Sequence, residues 1–172
     1  MTIQTERLVL RPLSIDDLEI TFEYASDPAL AYMIHLPKET KQEVGDFLRW
    51  VSAEWAKDKP GFYEFAITLN EQQIGAVSIH LDEQKQSGDM GWILLKAYRG
   101  KGYASEAASA VLNFARDELK LNKVTAQCDY RNEASFKIMR KIGFSLESDD
   151  GVRRYKDSDE DVQELVYAIH FA

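Results

Sequence analysis

The segment Trp92-Ile93-Leu94-Leu95-Lys96-Ala97-Tyr98-Arg99-Gly100-Lys101-Gly102-Tyr103-Ala104-Ser105-Glu106 constrains this chain more than any other. An apolar run of strand length leads into a glycine-rich turn. Ala104, Ala107, Ala108, Val111, Leu112, Ala115 and Leu119 then recur at i, i+3, i+4 spacing, the apolar stripe of a long amphipathic helix. A helix start presents unpaired N–H groups and the positive end of the macrodipole, which suits a phosphate. Gly100 and Gly102 let backbone amides approach oxygen atoms with no Cβ in the way, and Arg99 and Lys101 add charge. The plainer alternative is a tight turn that is glycine-rich for its own geometry. Two familiar phosphate loops do not fit. A dinucleotide fingerprint needs glycine where Ser105 stands, and the P-loop pattern G-x-x-x-x-G-K-[ST] is absent.

The remaining elements follow from periodicity and punctuation. Arg7-Leu8-Val9-Leu10-Arg11 alternates as a strand up to Pro12, and Ser14 caps a helix to about Ala25 with Asp16 and Asp17 in its first turn. Val44, Phe47, Leu48, Val51 and Trp55 mark a second helix between Thr40 and Lys57. Phe62 to Leu69 and Ile74 to Leu81 read as a hairpin turning at Asn70-Glu71-Gln72-Gln73, and Met90 to Leu95 as the next strand. Val124 to Cys128 is a short strand, Asn132 caps a helix ending at Gly143, and two closing strands (Phe144-Ser145-Leu146 and Leu165 to Phe171) flank an acidic loop. The order β-α-α-β-β-β-α-β-α-β-β predicts an α/β fold, one mixed sheet flanked by helices, in a single domain over residues 1–172.

Composition narrows the function. Twenty-one Lys and Arg against 29 Asp and Glu give a net charge of −8, which argues against nucleic acid as a partner. Residues 94–143 nevertheless carry +5 and the rest −13. That asymmetry fits either exposed helix faces kept soluble by charge or an anion site in an otherwise acidic protein. No apolar stretch approaches the roughly 18 residues of a membrane helix, and the N-terminus lacks the basic-then-apolar pattern of a signal peptide. The expectation is a cytoplasmic protein. The single cysteine, Cys128, offers neither an internal disulfide nor a cysteine-rich zinc site; it reads as structural and no metal is expected.

Arg99-Gly100-Lys101-Gly102-Tyr103-Ala104 resembles the R/Q-x-x-G-x-G/A motif of the GNAT N-acetyltransferases, which binds the pyrophosphate of acetyl-coenzyme A through backbone amides. Ala126-Gln127-Cys128-Asp129-Tyr130-Arg131-Asn132-Glu133-Ala134-Ser135, continuing to Lys141-Ile142-Gly143-Phe144, resembles the family's N-x-x-S/A…K-x-G-F segment. Thr5-Glu6-Arg7-Leu8-Val9-Leu10-Arg11-Pro12 and Gly88-Asp89-Met90-Gly91-Trp92 are similar to the branch that acetylates ribosomal-protein N-termini. The resemblance implies acetyl-coenzyme A as co-substrate. Its contacts would come from the backbone of Ile93, Leu94 and Leu95, in a strand splayed from its neighbour. Arg99, Gly100, Lys101, Gly102, Tyr103 and Ala104 would follow in the turn, and Asn132 and Ser135 on the next helix. Asn132 could instead be a cap alone, and Ser135 could equally bond backbone rather than coenzyme.

Transfer to an amine requires a neutral amine, a stabilised oxyanion and a proton for the departing thiolate. Where many relatives carry a proton-donating Tyr, this chain has Met139, which leaves Ser135 or water as donor. Asp89 and His80 are the candidate bases, against the alternatives of a solvated carboxylate and a surface imidazole. In the family the region of Tyr32, His35, Trp50 and Trp55 helps to form the acceptor cleft. Trp55 shares the core stripe and Trp50 lies off it. The acidic run Asp157, Asp159, Glu160, Asp161 is a solvated loop or steers a cationic acceptor. The acceptor expected is a protein N-terminal amine or a small amine-bearing molecule, and the protein a monomer or homodimer. The rivals are a silent acyl-coenzyme A sensor and a nucleotide-binding domain.

Overall fold

The computed structural model describes residues 1–27, 38, 40–155 and 158–171. Strands β1 (Ile3–Gln4) and β2 (Val9–Pro12) precede α1 (Leu18–Ala25) and α2 (Lys41–Trp55). Strands β3 (Phe62–Leu69), β4 (Gln72–Leu81) and β5 (Ser87–Leu94) form a meander. Then follow α3 (Tyr103–Asp117), β6 (Lys123–Asp129), α4 (Glu133–Lys141), β7 (Ser145–Arg153) and β8 (Val162–His170). One sheet runs in the order β1-β2-β3-β4-β5-β6-β8-β7, and every pairing is antiparallel except β5 with β6. The α/β class and element order agree with the sequence reading, with β1 as an added edge strand.

Alternation along each strand sends side chains to two separate cores. Tyr63, Phe65 and Ile67 of β3 pack with Ala107, Ala108, Val111 and Phe114 of α3, whereas Ala66 meets Val44, Leu48 and Val51 of α2. Helices α3 and α4 thus cover one face of the sheet and α1 and α2 the other.

Local departures have local causes. Asn70 and Glu71 take φ of 49° and 67°, so the hairpin turn has two residues rather than four; β4 begins at Gln72, and Gln73 is buried with its Nε2 3.4 Å from Thr21 Oγ1. Ahead of α1, Ile15–Asp17 form a 3₁₀ turn closed by a capping box. The Asp17 carboxylate accepts from Ser14 N at 2.9 Å and from the Arg11 guanidinium at 2.8 and 2.6 Å. Strands β7 and β8 reach further into the acidic loop than the apolar pattern suggests, because the buried pair Arg153 Nε–Glu164 Oε2 (2.9 Å) ties their inner ends together. Among the described residues no helix is long and apolar enough to cross a membrane.

Candidate functional site

The sheet opens at one place. Strands β5 and β6 pair from Ser87↔Lys123 to Met90↔Ala126 and then part, while β5 stays paired with β4 to Gly75↔Leu94. Leu95 N–H donates to Ile74 O at 2.9 Å, on the β4 side. Backbone groups of successive strand residues point to opposite edges, so those of Trp92 and Leu94 face the gap, whereas Ile93 and Leu95 turn theirs to β4. Of the three residues proposed for backbone contacts, Leu94 therefore meets the fork. Trp92 is the one that the carry-over from the family omits. The Leu94 carbonyl is partly taken, since Arg99 Nε donates to it at 2.9 Å.

At the open end of β5, Lys96–Tyr98 make a 3₁₀ turn, and Gly100 (φ 75°) and Gly102 (φ 85°) bring the chain into α3. Gly102 caps the helix in the left-handed conformation with no side-chain hydrogen bond, so the amides of Tyr103, Ala104 and Ser105 stay available to an anion. Long-range contacts hold this turn. Glu106 Oε1 accepts from Thr5 Oγ1 at 2.6 Å and from Arg7 N at 2.9 Å, and Arg7 Nε donates to Glu106 Oε2 at 2.7 Å. Arg7 Nη1 also reaches Lys101 O at 3.1 Å, and its guanidinium lies 4.5 Å from the Tyr103 ring centroid. Burial alone would raise the Glu106 carboxyl, but the bonds from Thr5 and Arg7 outweigh it and hold it below its usual range. From α4, Lys141 Nζ donates to Ser105 Oγ at 3.0 Å. A cleft of ≈ 250 Å³ lies between Arg7, Gly102, Ser105, Ser109 and Lys141.

The other wall of the fork is the turn from β6 to α4. Asp129 is buried and accepts from Arg131 N, Nε and Nη2 at 2.8, 3.0 and 2.7 Å and from Tyr155 OH at 2.8 Å. Burial pushes its carboxyl up, and these donors more than reverse that. The fixed turn sets Asn132, whose Oδ1 accepts from Ser135 N at 3.2 Å. Asn132 is thus a cap, and its amide nitrogen donates to no described residue. The Ser135 hydroxyl makes no hydrogen bond among the described residues, while Met139 lies in the core at 1% exposure. Cys128 is buried too, and burial raises its thiol to about 11, which makes it a poor nucleophile.

On the α1–α2 face, register aligns polar residues in rows. Phe62, His80, Asp89 and Thr125 form one row across β3, β4, β5 and β6, and Glu64, Ser78 and Gly91 form the next. Asp89 Oδ1 accepts from Thr125 Oγ1 at 2.8 Å and Gln127 Nε2 at 3.3 Å. Although Asp89 keeps solvent contact, the surrounding sheet desolvates it and raises its pKa, with those two donors in opposition. Trp50 is 47% exposed and stacks between Phe47 (6.1 Å) and Phe62 (5.0 Å), whose ring meets His80 edge-on at 5.7 Å. Trp55 packs against both cores and donates through Nε1 to Glu64 O at 3.0 Å. Tyr32, His35 and Asp157 lie outside the described residues. Arg7, Glu106 and Glu64 escaped the sequence reading; only Glu64, an acid inside the apolar run Phe62 to Leu69, left a local signal.

The chain resembles known proteins over most of its length. The acetyltransferase (GNAT) domain family model matches residues 7–145. The uncharacterized N-acetyltransferase YnaD of Bacillus subtilis (strain 168) is 29% identical over 149 residues, covering 86% of this chain and 84% of that protein. The spermidine N(1)-acetyltransferase of Escherichia coli (strain K12) is 25% identical over 142 residues, 81% of this chain and 74% of the relative. A solved acetyltransferase from Salmonella typhimurium, which modifies the N-terminal serine of the 50S ribosomal subunit protein L7/L12, shares the fold. Its TM-score is 0.83 at 17% identity, over 100% of both chains.

Proposed function

Because the chain belongs to the GNAT acetyltransferase family, we propose that it moves the acetyl group of acetyl-coenzyme A to the primary amine of a cationic acceptor. The observation that carries this reading is the β5–β6 fork opening beside an uncapped helix start. Backbone groups of Trp92 and Leu94 suit the pantetheine amides. The amides after Gly102 suit the pyrophosphate, and Arg7, Lys101 and Lys141 give that edge its positive charge. Acetyl-coenzyme A supplies the activated thioester; the protein supplies orientation and charge.

The acceptor approaches from the opposite face. Asp89 Oδ2 takes no hydrogen bond from a described residue and is the carboxylate we assign to drawing and orienting the acceptor ammonium, with His80 opposite it in the register. The Phe47–Trp50–Phe62 strip beside it suits the alkyl part of an amine. A polyamine or a protein N-terminus fits this chemistry. Ser135, half-buried in the first turn of α4, is assigned to the thiolate proton.

Calorimetry with acetyl-coenzyme A, coenzyme A and ATP, followed by thiol release on adding spermidine or a serine-initiated peptide, tests the reading. Coenzyme binding with thiol release from one amine class is expected. Binding without release from any amine would favour a sensor, as the Met139 position allows. ATP preferred over coenzyme A would overturn the assignment.

A further inference from the structure

We propose that the acceptor's proton leaves along a row the catalytic motifs do not contain, from Ser78 on β4 to Glu64 on β3, through a window opened by Gly91 on β5. This inference rests on the acetyltransferase reading above. Glu64, Ser78 and Gly91 are consecutive partners across three strands, on the face that receives the acceptor. Their neighbours on the closed side, Ala66 and Ala76, are sealed under the helices at 0% and 1% exposure, whereas all three members of the row keep partial solvent access. Ser78 stands directly opposite Glu64 in the β3–β4 register, and its hydroxyl favours the ionised form of the Glu64 carboxyl. On its other side nothing covers the hydroxyl from β5: a Cβ built on Gly91 would sit 3.5 Å from Ser78 Oγ. The fork begins immediately beyond, where Trp92 turns its backbone to the gap.

The groups facing Glu64 leave it as the natural proton sink. Tyr24 on α1 is buried, its hydroxyl donates to Thr21 Oγ1 at 3.3 Å, and its pKa is raised, mainly by burial. Arg11 and Asp17 are spent on each other. From α2, the chain presents Val51 and Trp55, and Glu54 at its end is paired with Lys57. His80 and Asp89 lie in the adjoining row. Burial raises the Glu64 carboxyl to about 8, with Ser78 pulling against it, and no cation among the described residues holds it ionised. A carboxylate of that basicity can take a proton from an ammonium and release it to solvent on each cycle.

The step balances. An ammonium N–H passes its proton to Ser78 Oγ as the Ser78 proton passes to the Glu64 carboxylate. The freed nitrogen pair forms the C–N bond, and the thioester C–S bond breaks with its pair on sulfur. The sulfur takes its proton from Ser135, whose hydroxyl is restored by the second nitrogen proton through water, leaving an amide, a thiol and protonated Glu64.

The test compares wild type with Glu64→Gln, Ser78→Ala and Gly91→Ala, using acetyl-coenzyme A and spermidine. The ammoniums of spermidine depress one another's pKa values, so a kcat limb near 8 is assigned to the protein by its loss in Glu64→Gln with the same substrate. Wild-type kcat should rise with pH through that limb. Glu64→Gln should lower kcat about a hundredfold and flatten the limb, with coenzyme affinity unchanged. Ser78→Ala should lower kcat similarly. Gly91→Ala, whose added methyl makes only ordinary contact, should keep the melting temperature and lose turnover. A Glu64→Gln enzyme that binds coenzyme and keeps the wild-type limb overturns the inference alone. Failure of the wild type to bind coenzyme overturns the acetyltransferase reading instead. Should spermidine not be consumed, ¹³C-carboxyl titration decides. Glu64 titrating near 8, and higher in Ser78→Ala, supports the row, and titration below 5 or indifference to Ser78→Ala overturns it.

Discussion

The two faces of the fork are built in opposite ways. On the coenzyme side, the groups that matter are backbone amides and a few cations, gathered in two short stretches, 92–105 and 132–141, with Arg7 added from the stretch before β2. On the acceptor side, each strand contributes one residue to a row: Phe62, His80, Asp89 and Thr125, or Glu64, Ser78 and Gly91. A phosphate presents the same oxygen atoms to any binder, so its site can be a contiguous turn that depends on φ rather than on side chains. An acceptor is recognised by shape and charge spread over a surface, so its site exists only once the register does. Side chains on the acceptor side should therefore be separable by kinetics, while glycines on the coenzyme side should act through binding.

One position joins the two faces, and breaking it should have the largest effect. Gly75 opposes Leu94 where β4 anchors the open end of β5; a Cβ there would lie 2.1 Å from Ile93 O and 2.9 Å from Leu94 Cα. Backbone cannot yield as a side chain can. Gly75→Ala is expected to cost roughly 3 kcal/mol in urea denaturation and to damage coenzyme and acceptor binding together. A variant with wild-type stability would show that β4 does not fix the fork.

Gly102→Asp confines the damage to one face. Any side chain must take φ 85°, at a cost of about 1–2 kcal/mol, and its Cβ would stand 3.3 Å from Arg7 Nη2. The new carboxylate also opposes the phosphates. Calorimetry should show coenzyme affinity falling at least tenfold. Spermidine KM, measured at saturating coenzyme, should change little.

Asp89→Asn is the converse. If Asp89 orients the acceptor, the variant should raise spermidine KM roughly tenfold, the equivalent of about 1.4 kcal/mol, with coenzyme affinity unaltered. The pH dependence has a definite sign. Asp89 binds a cation only when ionised, and burial raises its pKa, so wild-type KM should climb as pH falls through that raised value. The Asn variant should lose this dependence. An unchanged KM with a changed kcat limb would move Asp89 from binding to proton transfer and contest the Glu64 row.

What could be read from the chain alone follows the same division. The α/β order was legible because turn residues and apolar periods are local, and Gly100 and Gly102 were legible because φ requirements leave glycine in the sequence. Asp89 was found through resemblance to a strand motif, and its partners Thr125 and Gln127 were not, since they come from a strand 36 to 38 residues away. The assignment of backbone contacts to Ile93 and Leu95 required knowing which edge of β5 faces β4, which one hydrogen bond at Leu95 reveals and no sequence period does. The hairpin at Asn70-Glu71 was read two residues too long because both glutamines after it are polar, although Gln73 is buried in the strand.

The smallest expected effect tests how the coenzyme turn is braced. Arg7 comes from the stretch before β2, yet it is tied to Glu106, to Lys101 O and to the Tyr103 ring. Arg7 is 41% exposed at its side chain and Glu106 16%, so solvent screens the pair and about 1 kcal/mol is the most Arg7→Ala should cost at pH 7. Glu106 titrates lower in the folded chain than its ordinary 4.5, so the stabilisation is complete above that value and disappears as pH falls through the folded value. The difference between wild type and Arg7→Ala in urea denaturation should therefore shrink from pH 7 to pH 3. A difference that persists at pH 3 would assign the brace to the guanidinium's contact with Tyr103 and Lys101 O rather than to its charge pair. The coenzyme turn would then rest, like its glycines, on geometry more than on charge.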